Sequence, residues 1–294
     1  MEEKHFGPVW FIPGENKGRY PYCHSIYIEE AEILIDPSSD RKRLLELKNE
    51  NGVKEIWLSH WHEDHFMHLD LFDETPLCMM EADAHPLSDL EILLDAYGID
   101  EKFKNDWRSV LNSTFHFKPR KPFRFLKEDE WLDLGSTKVK IISAAGHTPG
   151  HMALFFETPQ LLFMGDYDLS KFGPWYGDVN SSIEKTISSV NKLRQIPAKI
   201  WLTSHEKGIF EEEPGELWDQ YCDVIKVREQ KLLDLLQTPR TIEQIIDACI
   251  IYRKKREPRY FFEFGEKVLM EKHLTKLINE DIVFWDDKKY SIKI

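Results

Sequence analysis

The stretch Glu55-Ile-Trp-Leu-Ser-His60-Trp-His62-Glu-Asp64-His65 decides the fold. An apolar run with strand character leads straight into a cluster of three histidines and a carboxylate. A helix would send His60 and His62 to different faces. A loop after a strand can instead turn those two toward one metal ion and Asp64 and His65 toward another. Imidazole nitrogen and carboxylate oxygen are the donors that borderline divalent metals such as zinc accept.

Working outward, three more apolar runs end on a donor. Lys140-Ile-Ile-Ser-Ala-Ala-Gly-His147 delivers a histidine, Leu161-Leu-Phe-Met-Gly-Asp166 a carboxylate, and Ile200-Trp-Leu-Thr-Ser-His205 the last histidine. Further strand-like runs are Ser25 to Ile35, Leu77 to Met80 and His151 to Phe156. Ser88 to Tyr97 and Ser181 to Gln195 read as helices, the second with an apolar stripe at Ile183, Ile187, Val190 and Leu193 that suits covering a sheet. The mixture predicts an α/β architecture of sheets flanked by helices. Active sites in such layered proteins gather on loops at one sheet edge, so four strand-end donor groups argue for one site.

The chain has 294 residues, 41% of them hydrophobic and 31% charged, a soluble globular composition with room for two domains. No apolar run approaches the roughly 20 residues needed to cross a bilayer, and the first residues lack a signal-peptide pattern. A cytoplasmic protein without a membrane partner is expected; oligomeric partners are not legible. Cys23, Cys78, Cys222 and Cys249 are widely separated and read as reduced thiols. The formal charge of −13 argues against a protein that coats duplex nucleic acid.

Glu211-Glu212-Glu213-Pro214-Gly215 reads as a boundary between a domain at 1–215 and a second at 216–294. The second holds 15 basic and 15 acidic residues, so the whole net charge lies in the first. It predicts helices over Leu217 to Gln237, Thr241 to Ile250 and Lys267 to Glu280, then a hairpin from Ile282 to Ile292 with its turn at Asp286-Asp287. That order is winged-helix-like.

The donors at 60 to 65, followed by His147, Asp166 and His205, resemble the H-x-H-x-D-H signature and later ligands of the metallo-β-lactamase superfamily, and the full set resembles its glyoxalase II-type dinuclear hydrolases. The resemblance implies an αβ/βα sandwich with His60, His62 and His147 on one metal ion, Asp64, His65 and His205 on the other, and Asp166 bridging them. It implies two divalent ions, zinc first, with iron or manganese as alternatives. Water held between such ions ionises near neutral pH and serves as a bridging hydroxide nucleophile, with Asp64 and Asp166 as the catalytic carboxylates. The tail is similar to that of the lactamase-β2-like branch, which includes single-strand RNA endonucleases. β-Lactamases of this fold do not generally carry an aspartate at the position of Asp166, and flavodiiron proteins usually carry Glu where His62 stands, so neither activity is expected.

Any one histidine is more often a surface or satisfied core residue; the ordered set is not. His151 and His24 are expected to hydrogen-bond behind the ligands, and Tyr176 to bind substrate. Asp168 and Tyr167 read as turn-forming and anchoring groups ahead of any chemical role. His5, His68, His85, His116 and His273 receive no function. Arg253-Lys-Lys-Arg256, with Tyr252, Phe261 and Phe262, reads as a solvated loop over aromatics, with a grip on phosphate as the sharper alternative. The insertion from Ala84 to Glu130 is expected to form a wall or lid. The leading functional expectation is hydrolysis of a small thioester, ester or lactone. Single-stranded RNA is the alternative substrate, ahead of a mononuclear-iron redox enzyme and a metal-independent DNA-binding regulator.

Overall fold

The computed structural model describes residues 1–293. One mixed sheet runs in chain order through β1 (Lys4–Phe6), β2 (Val9–Ile12), β3 (Ser25–Ile28), β4 (Ile33–Ile35), β5 (Glu55–Trp57), β6 (Leu77–Met80) and β7 (Arg124–Leu126). The second comprises β8 (Trp131–Asp133), β9 (Lys138–Ser143), β10 (Met152–Phe156), β11 (Leu161–Phe163), β12 (Ile200–Leu202) and β13 (Ile209–Phe210), in the spatial order β13-β12-β11-β10-β9-β8. β4, β5, β6 and β7 pair in parallel, as do β11 and β12; the other pairs are antiparallel.

The strands read as nearly continuous apolar runs because both faces of each sheet are covered. Ile26, Ile28, Ile33, Ile35 and Trp57 point into the layer between the sheets, against Ile141, Leu154, Phe156 and Phe163 of the second sheet. Tyr27, Leu34 and Ile56, one residue out of phase, point outward. Helices α2 (Arg41–Glu50), α4 (Leu90–Tyr97) and α5 (Lys104–Ser113) cover that outer face through Leu44, Leu47, Leu94 and Leu111. On the opposite side, α6 (Ile183–Arg194) and α7 (Leu217–Leu235) cover the second sheet through Val190, Leu193 and Trp218. The result is the αβ/βα sandwich of the metallo-β-lactamase fold. Two single turns, α1 (Glu15–Gly18) and α3 (Glu63–Phe66), follow β2 and β5.

The chain ends with α8 (Ile242–Asp247), α9 (Arg259–Asn279) and the hairpin β14 (Val283–Asp286) and β15 (Lys289–Ile292). Thr241 caps α8, and Gln244 closes a capping box with it. These elements share a core, through Ile245, Leu269 and Leu274, with Ile225 and Leu232 of α7 and with Tyr176 and Ile183. α9 also sends Phe264 and Val268 into the core over the first sheet, where Phe264 stands edge-on to Trp107 at 5.4 Å. No helix among the described residues is long and apolar enough to cross a membrane.

Local sequence misjudged some boundaries. The Ser25 to Ile35 run is two strands joined by a turn in which Glu32 takes φ 52°. The hairpin β1–β2 and helices α2 and α5 are additions; α2 buries only Leu44 and Leu47, too sparse a stripe to read from sequence. α9 starts at Arg259 instead of Lys267, because aromatics that look like loop anchors gain burial against α5.

Trp107 is 1% exposed and contacts both Tyr97 and Phe264, so Trp107→Ala is expected to lower unfolding free energy by about 3–5 kcal/mol. Urea unfolding of the two proteins measures this; a change near zero would place the indole outside the load-sharing core.

Candidate metal centre

Each donor sits where a strand has just ended. His60 and His62 follow β5, and the turn α3 carries Asp64 and His65. His147, Asp166 and His205 follow β9, β11 and β12. Two of these turns need glycine. Gly146, at φ 135°, lies so close to α6 that a Cβ would meet the Thr186 nitrogen at 2.3 Å, and Gly165, at φ 57°, would meet the His151 ring at 2.4 Å.

The donors form two clusters. His60, His62, His147 and Asp166 make one, and Asp64, His65 and His205 the other. His147 Nε2 lies 3.1 Å from His60 Nε2 and 2.9 Å from His62 Nδ1. Asp166 joins the two: Oδ2 is 3.3 Å from His147 Nε2 and 3.9 Å from His60 Nε2, while Oδ1 is 2.9 Å from His65 Nε2 and 3.3 Å from His205 Nε2. Asp64 Oδ2 stands 3.5 Å from His205 Nε2.

The outer nitrogen of every one of these histidines is engaged. His65 Nδ1 is 2.9 Å from Asp36 Oδ2, His62 Nε2 is 2.7 Å from Asp178 Oδ2, and His60 Nδ1 is 3.0 Å from Ser59 Oγ. His147 Nδ1 faces the Trp175 carbonyl at 3.2 Å, and His205 Nδ1 the Gly18 carbonyl at 2.6 Å. A ring that donates outward presents a lone pair inward. Three imidazole lone pairs within about 3 Å repel one another unless a cation lies among them. His65 Nε2 and Asp166 Oδ1 are buried without a hydrogen bond, which an intervening cation would also resolve. The donor set therefore fits two divalent ions.

The outer partners form a fixed frame. Asp36, in the left-handed region at φ 52°, accepts from the Ser59 amide and hydroxyl as well as from His65. Asp178 also accepts from the Trp175 indole at 2.9 Å. The loop carrying Trp175 and Asp178 is tied down by Arg228 of α7, which donates to the Pro174 carbonyl at 2.9 Å and the Phe172 carbonyl at 2.7 Å. Sequence reading missed Asp36, Asp178 and Arg228. Their only signal is a polar residue in a loop, which carries no spacing.

A cavity of about 890 Å³ opens over the clusters. The 84–130 insertion contributes Tyr97 and Trp107 as a wall, and the C-terminal helices contribute Val224, Val227, Phe261 and Phe264. The C-terminal segment thus faces the metal centre. Glu63, inside the ligand motif, is buried at the cavity floor and accepts from Tyr20 at 2.8 Å and from Tyr97. Burial raises its carboxyl above the ordinary range, reinforced by Asp64.

Tyr176, expected at the substrate, is fully buried instead. Its hydroxyl meets His273 Nε2 at 2.9 Å and accepts from Arg228 at 3.1 Å, and it does not line the cavity. Packing by α7 and α9, invisible in local sequence, draws it inward. His151 lies behind the centre, its Nε2 accepting from the Asp166 amide at 3.1 Å. His24 accepts from the Gly14 amide at 2.9 Å, and burial holds its ring down at about 4. Asp168 accepts from the Ser170 amide, a turn contact, and the Tyr167 hydroxyl donates to the Ala144 carbonyl. His68, Asp70 and His116 form a third donor group, but Arg41 already clamps Asp70 through two bonds of 2.8 and 2.6 Å, and its charge opposes a cation there.

This fold and centre define a metal-dependent hydrolase. The chain belongs to the metallo-beta-lactamase superfamily, whose family model matches residues 18–205. It is 21% identical over 271 residues to a hydroxyacylglutathione hydrolase of Francisella philomiragia, a match covering 84% of this chain and 93% of that protein. Two solved structures share the fold across nearly the whole chain. A beta-lactamase domain protein from Burkholderia ambifaria has a TM-score of 0.71 at 16% identity, covering 99% of this chain and 94% of that one. A metallo-beta-lactamase family protein from Thermus thermophilus has a TM-score of 0.68 at 19% identity, covering 97% of this chain and 99% of that one.

Asp178→Ala is expected to weaken metal binding by about 10–100-fold, since His62 loses its outer anchor; competition with a chromophoric chelator reads the change, and an unaltered titration would refute it. His68 supplies a pH test. Burial, then Arg41, pushes its ring down to about 4, so the unfolded chain takes up a proton below about 6.5 that the folded chain refuses. Stability from the neutral ring is full above that value and is lost as pH falls toward about 4. His68→Gln should show a shallower decline in urea midpoint across that window than the parent protein.

Proposed function

We propose that the protein hydrolyses a small acyl compound, a thioester ahead of an ester or lactone, at a dinuclear centre of glyoxalase II type. The observation that carries this reading is Asp166, whose two carboxylate oxygens face different donor clusters at the floor of one cavity. His60, His62 and His147 would hold one ion, Asp64, His65 and His205 the other, with Asp166 between them. Zinc suits this nitrogen and oxygen set, with iron or manganese as the competitors. When bound, the ions supply acidified water and polarise the acyl carbonyl.

The chain's own residues orient the reaction. Asp64, held beside His205, is placed to align the attacking water, and the Asp36 and Asp178 contacts keep the histidine rings from rotating. In the net reaction the water oxygen joins the acyl carbon and the carbon–sulfur bond breaks. The thiol keeps one proton and the carboxylic acid releases the other. Tyr20 and Tyr97 already donate to Glu63, and Tyr221 to the Asp166 carbonyl at 2.9 Å. A thiolate leaves without a proton donor, whereas an amine does not, which favours thioesters over amides. The hydroxyacylglutathione hydrolase relative supports the same class.

We read residues 216–294 as a winged-helix-like unit that serves as a wall of the substrate cavity, supported by Phe261 and Phe264 of α9 lining it. Four unpaired cysteines suit action in the reducing cytoplasm.

Thiol release from a panel of acyl thioesters is expected for the wild type, with two zinc ions per chain by elemental analysis. Asp166→Ala should lose turnover by at least about 10²-fold, since misplacing the reacting groups alone costs that much. One iron per chain with oxygen uptake, or thiol release undiminished in the variant, would overturn the reading.

A further inference from the structure

The rim of the cavity carries unpaired positive charge on this acidic chain. Of the carboxylates lining it, Asp64 and Asp166 belong to the metal clusters, Glu63 is held by two tyrosines, and Asp168 caps its own turn. Glu206 is paired with Arg19, and Asp223 with Lys226. The lining cations Lys171, Lys231, Arg253 and Arg256 are exposed, and among the described residues none makes an ion pair. Of their neighbours outside the cavity, Lys255 pairs with Asp247 and Arg259 with Glu263, while Lys254, among the described residues, makes no ion pair. The free charge at this opening is therefore positive, on a protein of net charge −13.

These cations surround a run of aromatic rings. Phe172, 40% exposed and adjacent to Lys171, lies 5.8 Å from Tyr252, which precedes Arg253 and lies 4.9 Å from Phe262. The Arg256 guanidinium stands 5.7 Å from the Phe262 ring centroid. Arg228, one helical turn before Lys231, covers Phe172 at 4.9 Å. Cations alternating with ring faces form a surface for phosphates and a planar group together. A peptide thiol with two carboxylates and an ammonium would leave much of this charge unmatched, whereas a nucleotide thiol carries several phosphate charges.

Building on the thioester reading, we propose that the substrate is the thioester of a phosphate-bearing nucleotide carrier. The carrier's phosphates lie against Lys171, Lys231, Arg253 and Arg256, its planar base against Phe172 and Phe262, and its apolar acyl group toward Tyr97 and Trp107. These rim groups act in binding and leave the chemical step to the metal centre, so their removal changes KM and spares kcat.

The test compares benzoyl-coenzyme A, S-benzoyl-pantetheine and S-benzoylglutathione on the metal-loaded wild type, on Lys171→Ala/Arg253→Ala/Arg256→Ala, and on the charge-matched control Lys121→Ala/Lys288→Ala/Lys289→Ala. KM for the coenzyme A ester should be about tenfold below that of the pantetheine ester in the wild type and control, and the advantage should vanish in the rim variant and at high salt, with kcat within about twofold throughout. Equal KM for the coenzyme A and pantetheine esters would overturn the inference while leaving thioester hydrolysis standing. A rim-dependent preference for the glutathione ester, or rim-dependent cleavage of single-stranded RNA, would overturn it as well. If no thioester is turned over, the thioester reading itself fails. Calorimetric titration with free coenzyme A then decides the rim: binding weakened only in the rim variant supports a nucleotide site, and no binding overturns it.

Discussion

The structure depends on one electrostatic constraint. Five imidazole rings converge with their inner nitrogens close together, and a single carboxylate, Asp166, lies between the two groups they form. Without positive charge among them, lone pairs repel and buried polar atoms go unsatisfied. With it, the inward lone pairs gain a partner. Much of the surrounding architecture keeps those rings from turning away.

That task reaches far from the centre. Asp36 and Ser59, at the ends of β4 and β5, fix His65 and His60 from the first sheet. From the other side, the Trp175 to Asp178 loop fixes His147 and His62, and it is held in turn by Arg228 of α7. Arg228 also donates to Tyr176, whose hydroxyl meets His273 of α9. A continuous polar chain thus connects the C-terminal helices to the donors of one cluster, while Phe261 and Phe264 of those helices line the cavity. The same segment that completes the frame shapes the space for substrate.

Seven candidate donor positions were readable in the chain because each stands at a strand end, where an apolar run stops at a polar donor and the spacing itself is chemical, and the fold gathers all seven into two adjacent clusters. Of the two histidines expected behind the donors, His151 accepts from the Asp166 amide, whereas His24 meets the Gly14 amide and no donor side chain. Tyr176 was placed by its closeness in sequence to Asp166, yet it points away, since burial under α7 and α9 outweighs local proximity. Asp36, Asp178 and Arg228 have no local signature: a loop carboxylate that orients a histidine reads like one that is merely solvated, and an arginine that ties down three groups reads like a surface cation.

Sequence alone thus determined the layered α/β fold, the order of the donors and the composition of the tail, because strand periodicity and ligand spacing are properties of short segments. Tertiary structure decided which oxygen of Asp166 faces which cluster, which partners hold the rings, and that the C-terminal helices line the cavity. Those outcomes arise from contacts between residues far apart in the chain, such as His62 with Asp178 and Phe264 with Trp107. Such contacts form only where folded backbone has already placed both partners, and no period or motif in a single segment encodes the meeting.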